Sequence, residues 1–229
     1  MTNSPNGLTA HPGMAELQAL LMRHLAQADR LESQLRSLDL HLSHAVGELI
    51  AAHYPSVVAH SQAVRKIAGA IAVEMALSVV DRKTVHSAAL LHDVGKVGIA
   101  ASVRIKDGPL NDVEWVEMRR HPSIGHALLA QMSIKHEVLL AVRHHHERFD
   151  GAGYPDGLVG TAIPLAARII AVADSFHAMT SDRPYRGRCT IESARAEIVR
   201  CSATQFCPSV VDAFLQISVS RRLGASAAA

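Results

Sequence analysis

Aromatic residues, cysteines and net charge are all scarce in this sequence, and each shortage excludes a class of protein. Phe, Trp and Tyr make up 3% of the 229 residues, so the core must consist mainly of aliphatic side chains, a composition that favours helices. The three cysteines, Cys189, Cys201 and Cys207, form no Cys-x-x-Cys pair. This argues against a disulfide framework and predicts a reduced, cytoplasmic chain. A formal charge of +2 is too small to indicate binding to nucleic acid or to a membrane surface.

Long apolar runs and targeting signals are missing as well. No apolar stretch reaches the length of about 18 residues that spans a membrane, because Glu74 interrupts one candidate and Arg168 another. Residues 1–13 are polar, contain Pro and Gly, and lack the basic-then-apolar pattern of a signal peptide. We expect them to form a disordered leader.

Histidine, in contrast, is abundant. With 15 histidines against 3 cysteines, any metal site would use imidazole and carboxylate ligands rather than thiolates. The pair His92-Asp93 follows an apolar run and precedes Gly95. Asp174 lies beside the apolar run 169–173, where an unpaired carboxylate would be costly. Four further candidates follow or end apolar segments: His60, His121, His145 and His146.

These candidate ligands are too many for one ion. Five imidazoles and two carboxylates exceed the four ligands of a zinc site and suit two six-coordinate ions that share a bridge. Two ions roughly 3.5–4 Å apart can activate water and neutralise a phosphoryl oxygen for in-line hydrolysis of a phosphoester. Taken one at a time, each residue has an ordinary alternative as a core or surface side chain, so the residues alone leave a purely structural role open.

The hydrophobic periodicity predicts an all-α fold without internal repeats. Apolar residues recur at helical spacing over 56–80, 84–93, 135–146, 165–179 and 191–200. We expect Asp81 or Thr84 to cap the second of these helices, and Asn111 or Asp112 to cap a helix that reaches about residue 120. The helix over 165–179 is apolar nearly all round and should be central.

The sequence divides into a leader (residues 1–13), an N-terminal helix (14–39), a main helical domain (40–220) and a flexible tail (221–229). Within 14–39, Leu and Ala recur at alternating spacings of three and four residues. This heptad-like stripe predicts a dimerising coiled coil, and therefore a homodimer. The alternative is a single long helix that packs on its own domain.

Five segments match the motifs of a known enzyme family. They are, in chain order, His92-Asp93-Val94-Gly95-Lys96; His145-His146-Glu147-Arg148-Phe149-Asp150-Gly151-Ala152-Gly153-Tyr154-Pro155; Ile163-Pro164-Leu165-Ala166-Ala167-Arg168-Ile169; Val172-Ala173-Asp174; and Ala178-Met179-Thr180-Ser181-Asp182-Arg183-Pro184-Tyr185-Arg186. This pattern resembles the HD-GYP subgroup of the HD superfamily of metal-dependent phosphohydrolases. The resemblance covers about residues 40–218, and its long second motif is highly specific.

The resemblance implies an all-α helical bundle that hydrolyses cyclic di-GMP to linear pGpG, and in many members onward to GMP. It also implies two divalent metal ions, iron or manganese, with Asp93 as the bridging carboxylate. The implied ligands are His60, His92, Asp93, His121, His145, His146 and Asp174.

Substrate contacts are implied by the same resemblance. Lys96 would contact the scissile phosphate or its leaving oxygen, where an ammonium stabilises developing charge. Arg183 and Arg186 would contact phosphates or guanine edges, and Tyr154 would line the substrate cleft. The loop 153–155 would also dock GGDEF-type partner domains. The alternative for Lys96 is a solvated lysine without a substrate contact. The alternative for Arg183 and Arg186 is a surface turn in which they pair with Asp182.

Three positions refine the resemblance. His177 stands where the family has the second Asp of a Val-Ala-Asp-x-x-Asp pattern, a departure that concerns substrate positioning rather than metal binding. Ser56 stands where some members have a Glu that holds a third metal, so we predict two metals. Glu147 is expected to orient a ligand histidine.

Two other functions remain open on the sequence alone. One is hydrolysis of another cyclic dinucleotide or of a nucleotide phosphoester. The other is a catalytically weak cyclic di-GMP sensor or interaction module, which would signal through the N-terminal helix and the Gly-Tyr-Pro loop.

Overall fold

A computed structural model describes residues 22–24, 26–27, 30–31, 34, 55–181 and 189–217. The chain divides into two units, Met1–His41 and Leu42–Ala229. The described residues of the first unit are all helical. The second unit contains the helices α1 Pro55–Glu74, α2 Val79–Leu91, α3 Ala101–Arg104, α4 Asp112–Met118, α5 His121–Leu129, α6 His136–His144, α7 Leu165–Thr180, α8 Ile191–Arg200 and α9 Pro208–Gln216. Two short 3₁₀ helices, Val94–Gly98 and Gly160–Ala162, lie between them.

The predicted all-α class is confirmed, because the described part of the chain contains no strand and only one isolated bridge, between Ser202 and Phe206. Helix α7 is the central element, as its apolar pattern predicts. It packs against α1, α2, α6, α8 and α9, and Ile169, Ile170 and Val172 on it are fully buried. Because this helix is apolar on nearly all sides, neighbours on every side bury its apolar surface, and this burial stabilises the central position.

Helix starts follow from local capping. Asn111 caps α4 through a capping box with Glu114, as predicted. The predicted cap of α2 is wrong: Ser78 caps it, and its Oγ accepts a hydrogen bond from the Asp81 amide. The helix begins one turn earlier than predicted because the Ser78 hydroxyl accepts from the Asp81 amide. This amide lies in the first turn and has no acceptor within the helix.

Several predictions fall on residues outside the described part. These are the leader 1–13, most of the helix 14–39, the tail 221–229, and the predicted substrate contacts Arg183 and Arg186. Within the described residues, none of the helices has the length and hydropathy that a membrane span requires.

Candidate metal centre

All seven predicted ligands converge from five parts of the fold. His60 lies on α1 and Asp174 on α7, while His92 and Asp93 directly follow α2. His121 opens α5, and His145 and His146 follow α6. The side chains of His92, Asp93, His121 and His145 are buried. Residues that are far apart in the sequence therefore meet at one place because the helix ends that carry them meet there.

The candidate ligand atoms form two groups. His121, His145 and His146 make one group, and His60, His92 and Asp174 make the other; within each group the ligand atoms lie within 4.8 Å of one another. In the second group His60 Nε2 lies 3.0 Å from Asp174 Oδ1. Imidazole and carboxylate donors at this spacing suit divalent transition metals.

The Asp93 carboxylate lies between the two groups. Its Oδ1 is 3.4 Å from His121 Nε2, while its Oδ2 is 3.5 Å from His92 Nε2 and 3.7 Å from His60 Nε2. Each oxygen thus faces a different group. This arrangement is compatible with a carboxylate shared between two ligand groups.

Backbone carbonyls orient three of the histidines. His92, His121 and His145 donate from Nδ1 to the carbonyls of Ala89, Met118 and Val142, at 2.7–2.8 Å. Each carbonyl lies in the last turn of the preceding helix, where carbonyls lack an intrahelical partner. The bond places the proton on Nδ1 and leaves Nε2 free as a ligand.

One polar atom in the site lacks any partner. His92 Nε2 is buried and makes no hydrogen bond. A buried imidazole nitrogen without a partner is costly, and a metal ion in the His60–His92–Asp174 group would satisfy it. The residues present therefore fit a divalent cation.

Burial keeps the imidazoles of His121, His145 and His146 neutral. Burial lowers the pKa of His121 to about 3 and that of His146 to about 4, and burial together with neighbouring histidines lowers the pKa of His145. Burial alone would raise the pKa of Asp93, but His92 and Lys96 hold it well below its usual range. For these three imidazoles and the Asp93 carboxylate, the neutral and the ionised form respectively are the protonation states that metal ligands need.

Lys96 lies at the edge of the site. Its Nζ is 2.6 Å from Asp93 Oδ2, and its side chain is 29% exposed. The ammonium is thus held against the shared carboxylate while it still faces solvent. The predicted phosphate contact remains a prediction.

The Gly-Tyr-Pro loop closes one side of the site. The Tyr154 ring stacks on the His146 ring, with centroids 5.0 Å apart and 24° between their planes. The Tyr154 amide also donates to the His146 carbonyl at 3.3 Å. Gly153 permits this approach, because a Cβ at this position would overlap the backbone of Glu147 and Arg148.

The prediction that Glu147 orients a ligand histidine is wrong. Its buried carboxylate accepts hydrogen bonds from the amides of Asp156, Gly157 and Leu158 at 2.7–3.1 Å. The carboxylate holds the loop because three consecutive amides converge on it, and three of the candidate histidines already have backbone acceptors.

A third cluster of possible ligand side chains is explained by contacts within the protein. It consists of His144, Glu147 and Asp156. His144 Nε2 lies 2.8 Å from Asp156 Oδ2, and Arg143 makes two hydrogen bonds with the same carboxylate. These contacts fasten the loop to α6. They do not need a metal ion.

His177 contacts a predicted ligand, a role that sequence reasoning missed. Its Nδ1 lies 2.9 Å from His60 Nδ1, and its Nε2 lies 3.0 Å from Ser181 Oγ. The only sequence signal was the exchange of an acidic residue for histidine, three residues after Asp174.

Comparison with known proteins identifies the family. Residues 44–210 match the HD domain family. The chain is 46% identical over 153 residues to the cyclic di-GMP phosphodiesterase response regulator RpfG of Xanthomonas campestris, covering 66% of this chain and 40% of that protein. It is 40% identical over 163 residues to a cyclic di-GMP phosphodiesterase of Thermotoga maritima, covering 69% and 44%. The chain thus spans less than half the length of these curated relatives.

Solved structures share the fold. An HDG"Y"P protein from Bdellovibrio bacteriovorus has a TM-score of 0.59 at 16% identity, over 69% of this chain and 51% of that one. A cyclic GMP-AMP specific phosphodiesterase of Vibrio cholerae has a TM-score of 0.55 at 21% identity, over 69% and 43%. The chain belongs to the HD domain family, and its motifs place it in the HD-GYP subgroup, as the sequence analysis predicted.

Proposed function

We propose that this chain is a phosphodiesterase that hydrolyses cyclic di-GMP with the help of two divalent metal ions. The position of the Asp93 carboxylate between two groups of ligand atoms, beside the Lys96 ammonium, carries the proposal. The relatives named as cyclic di-GMP phosphodiesterases, at 46% and 40% identity, support the substrate.

The ligands divide between the two ions. His121, His145 and His146 would hold one ion, and His60, His92 and Asp174 the other, with Asp93 shared. Five imidazoles with carboxylates suit iron or manganese in six-coordinate sites better than tetrahedral zinc. When bound, such ions neutralise phosphate charge and acidify water so that it becomes a nucleophile near neutral pH.

The chain's own residues supply orientation and charge. Lys96 Nζ, held 2.6 Å from Asp93 Oδ2, is positioned to stabilise negative charge on the phosphate or its leaving oxygen. Burial raises the pKa of Tyr154, so its phenol stays protonated and can donate a hydrogen bond to substrate. Arg183 and Arg186 would add further contacts to phosphates or guanine edges. The product would be pGpG, with GMP after a second cleavage.

The decisive experiment is metal analysis and an assay of protein purified without oxygen. We expect close to two ions per chain, and turnover of cyclic di-GMP by the iron- or manganese-loaded protein. Asp93→Ala should abolish both metal binding and turnover, whereas Glu137→Ala, which removes an exposed carboxylate on α6, should change neither.

Other outcomes would redirect the proposal. Faster turnover of 3'3'-cGAMP than of cyclic di-GMP would shift the substrate assignment toward that of a 37% identical Vibrio cholerae relative named for it. Tight binding without turnover would favour a sensor. One ion or none would contradict the dinuclear centre.

Two partner contacts form part of the proposal. We propose a homodimer through the helix 14–39 and docking of GGDEF-domain proteins on the loop 153–155, in the cytoplasm. Light scattering should give a lower mass for a chain that lacks residues 1–38 than for the full chain. Equal masses would contradict dimerisation through this helix.

A further inference from the structure

A row of aromatic and cationic side chains leads from the metal centre to the surface of α4. His146, a predicted ligand, stacks on Tyr154. The Arg119 guanidinium carbon lies 5.5 Å from the centroid of the Tyr154 ring and 5.9 Å from that of the Trp115 ring. Each side chain contacts the next, so the row connects a ligand imidazole with an indole on the outside of the protein.

The end of this row has no evident part in the fold. The Trp115 side chain is 46% exposed. Arg119 is also exposed, and within the described part of the chain it forms no ion pair. Helix α4 is held at its start by other groups, the Asn111–Glu114 capping box and the Lys106–Glu114 ion pair.

The chemistry of the two side chains suits a nucleobase. Bases stack on aromatic rings and on guanidinium planes, and every base offers a flat face for this contact. A cation beside the indole also attracts a ligand that carries phosphates. Exposure leaves room for a base, and the cation–π contacts hold the two side chains in place.

We propose that Trp115 and Arg119 form a shelf on which one guanine of the cyclic dinucleotide stacks. The inference rests on the proposed function, because the phosphate must lie at Asp93 and Lys96 for a base to reach the shelf. The base would leave the metal centre past Tyr154 and settle against Arg119 and the exposed indole. The shelf would thus contribute substrate affinity without touching the reacting atoms.

Fluorescence gives a direct test, because Trp115 is the only tryptophan in the chain. The full-length, metal-loaded protein is titrated with a phosphorothioate analogue of cyclic di-GMP that resists hydrolysis. We expect saturable quenching of the Trp115 emission, with a midpoint that matches the calorimetric Kd. Inorganic phosphate, which lacks a base, should leave the emission unchanged. Calorimetric binding of the analogue with unchanged emission would overturn the shelf.

Variants supply a second test. Trp115→Ala should raise KM for cyclic di-GMP about 5- to 100-fold, the loss expected for one base–aromatic stack, without a change in kcat or metal content. Trp115→Phe should restore most of the affinity, and Arg119→Ala should raise KM in the same direction. Val116→Ala is the matched control, since Val116 is an exposed neighbour on α4. Unfolding temperatures equal to that of the parent chain would exclude misfolding.

The shelf and the proposed function can be refuted separately. An active enzyme whose KM is unchanged in both Trp115→Ala and Arg119→Ala would overturn the shelf and leave the proposed function intact. A metal-loaded parent chain that neither binds nor hydrolyses cyclic di-GMP would refute the proposed function and the shelf with it.

Discussion

The Nδ1 atoms of His60 and His177 lie 2.9 Å apart, and the second ring nitrogen of His177 lies 3.0 Å from Ser181 Oγ. His60 Nε2 faces Asp174, so a metal-binding His60 must carry its proton on Nδ1 and donate it to His177. His177 then keeps its own proton on Nε2, toward Ser181. His60 is thus oriented by a side chain, whereas His92, His121 and His145 are oriented by backbone carbonyls.

This contact predicts that His177 supports metal binding by His60. His177→Ala removes the acceptor for His60 Nδ1, and loss of such a partner typically lowers metal affinity about 10- to 100-fold. His177→Asp should restore affinity, because a carboxylate oxygen is as many bonds from Cβ as Nδ1 is and accepts more strongly. Competition with a chelator of known affinity measures the effect.

A histidine outside the site provides the control for this prediction. His136 is exposed at the start of α6, so His136→Ala should bind metal like the parent chain. If His177→Ala also binds both ions with parental affinity, His177 has no part in orienting His60.

The metal-free protein should lose stability in mild acid. In the unfolded chain each histidine protonates near pH 6.5, whereas burial holds the pKa of His121 at about 3 and that of His146 at about 4 in the folded protein. Between about pH 6.5 and about pH 4 the unfolded chain binds more protons, so the free energy of unfolding falls as the pH falls. The slope is up to about 1.4 kcal/mol per pH unit for each histidine.

Urea unfolding of metal-free protein at a series of pH values measures this slope. Saturating manganese should raise the free energy of unfolding but leave the contribution of His121 and His146 to the slope nearly unchanged, because their folded imidazoles are already unprotonated in this window. His146→Ala should remove part of the slope, and His136→Ala should leave it unchanged. A free energy of unfolding that stays constant across this window would contradict the buried, neutral state of the imidazoles.

The sequence predicts well which residues gather at the candidate metal centre, and it predicts poorly the contacts that support them, for a physical reason. A histidine or carboxylate at the end of an apolar run, such as His92-Asp93, is conspicuous because burying it without a partner is costly. The groups that hold these residues leave no such mark: the Ala89 carbonyl is backbone, and the Glu147 carboxylate meets amides on a returning loop. The Arg119–Tyr154 contact likewise joins segments that meet only in the folded chain.

Glu147 should determine the order of the Gly-Tyr-Pro loop. Glu147→Ala leaves the amides of residues 156–158 without their acceptor, which should lower the free energy of unfolding by about 1–3 kcal/mol. The loop should also become a site of limited proteolysis, and metal content should fall less than turnover, since Glu147 is not among the ligands. Glu147→Gln keeps one accepting oxygen and should have an intermediate effect.

The matched control is Glu137→Gln, which changes an exposed acid on α6. It should have parental stability and parental resistance to protease. Equal protease resistance of Glu147→Ala and the parent chain would show that other contacts, such as the Arg143–Asp156 pair, suffice to hold the loop.

Gly95 should be required for the distance between Asp93 and His121. A Cβ on Gly95 would overlap the His121 carbonyl oxygen and the Gly125 amide nitrogen, and neither backbone atom can rotate away as a side chain can. Gly95→Ala must therefore displace the start of α5, which carries His121 3.4 Å from Asp93 Oδ1. We expect a loss of about 1–3 kcal/mol in the free energy of unfolding, as for other overpacked sites, together with weaker metal binding.

Gly98→Ala is the control in the same 3₁₀ helix. A Cβ there would first meet the Ile124 side chain, which can change rotamer, so the effect of this substitution should be smaller. Denaturant unfolding and metal titration of both variants decide the point, and parental values for Gly95→Ala would show that α5 can shift without disturbing the site.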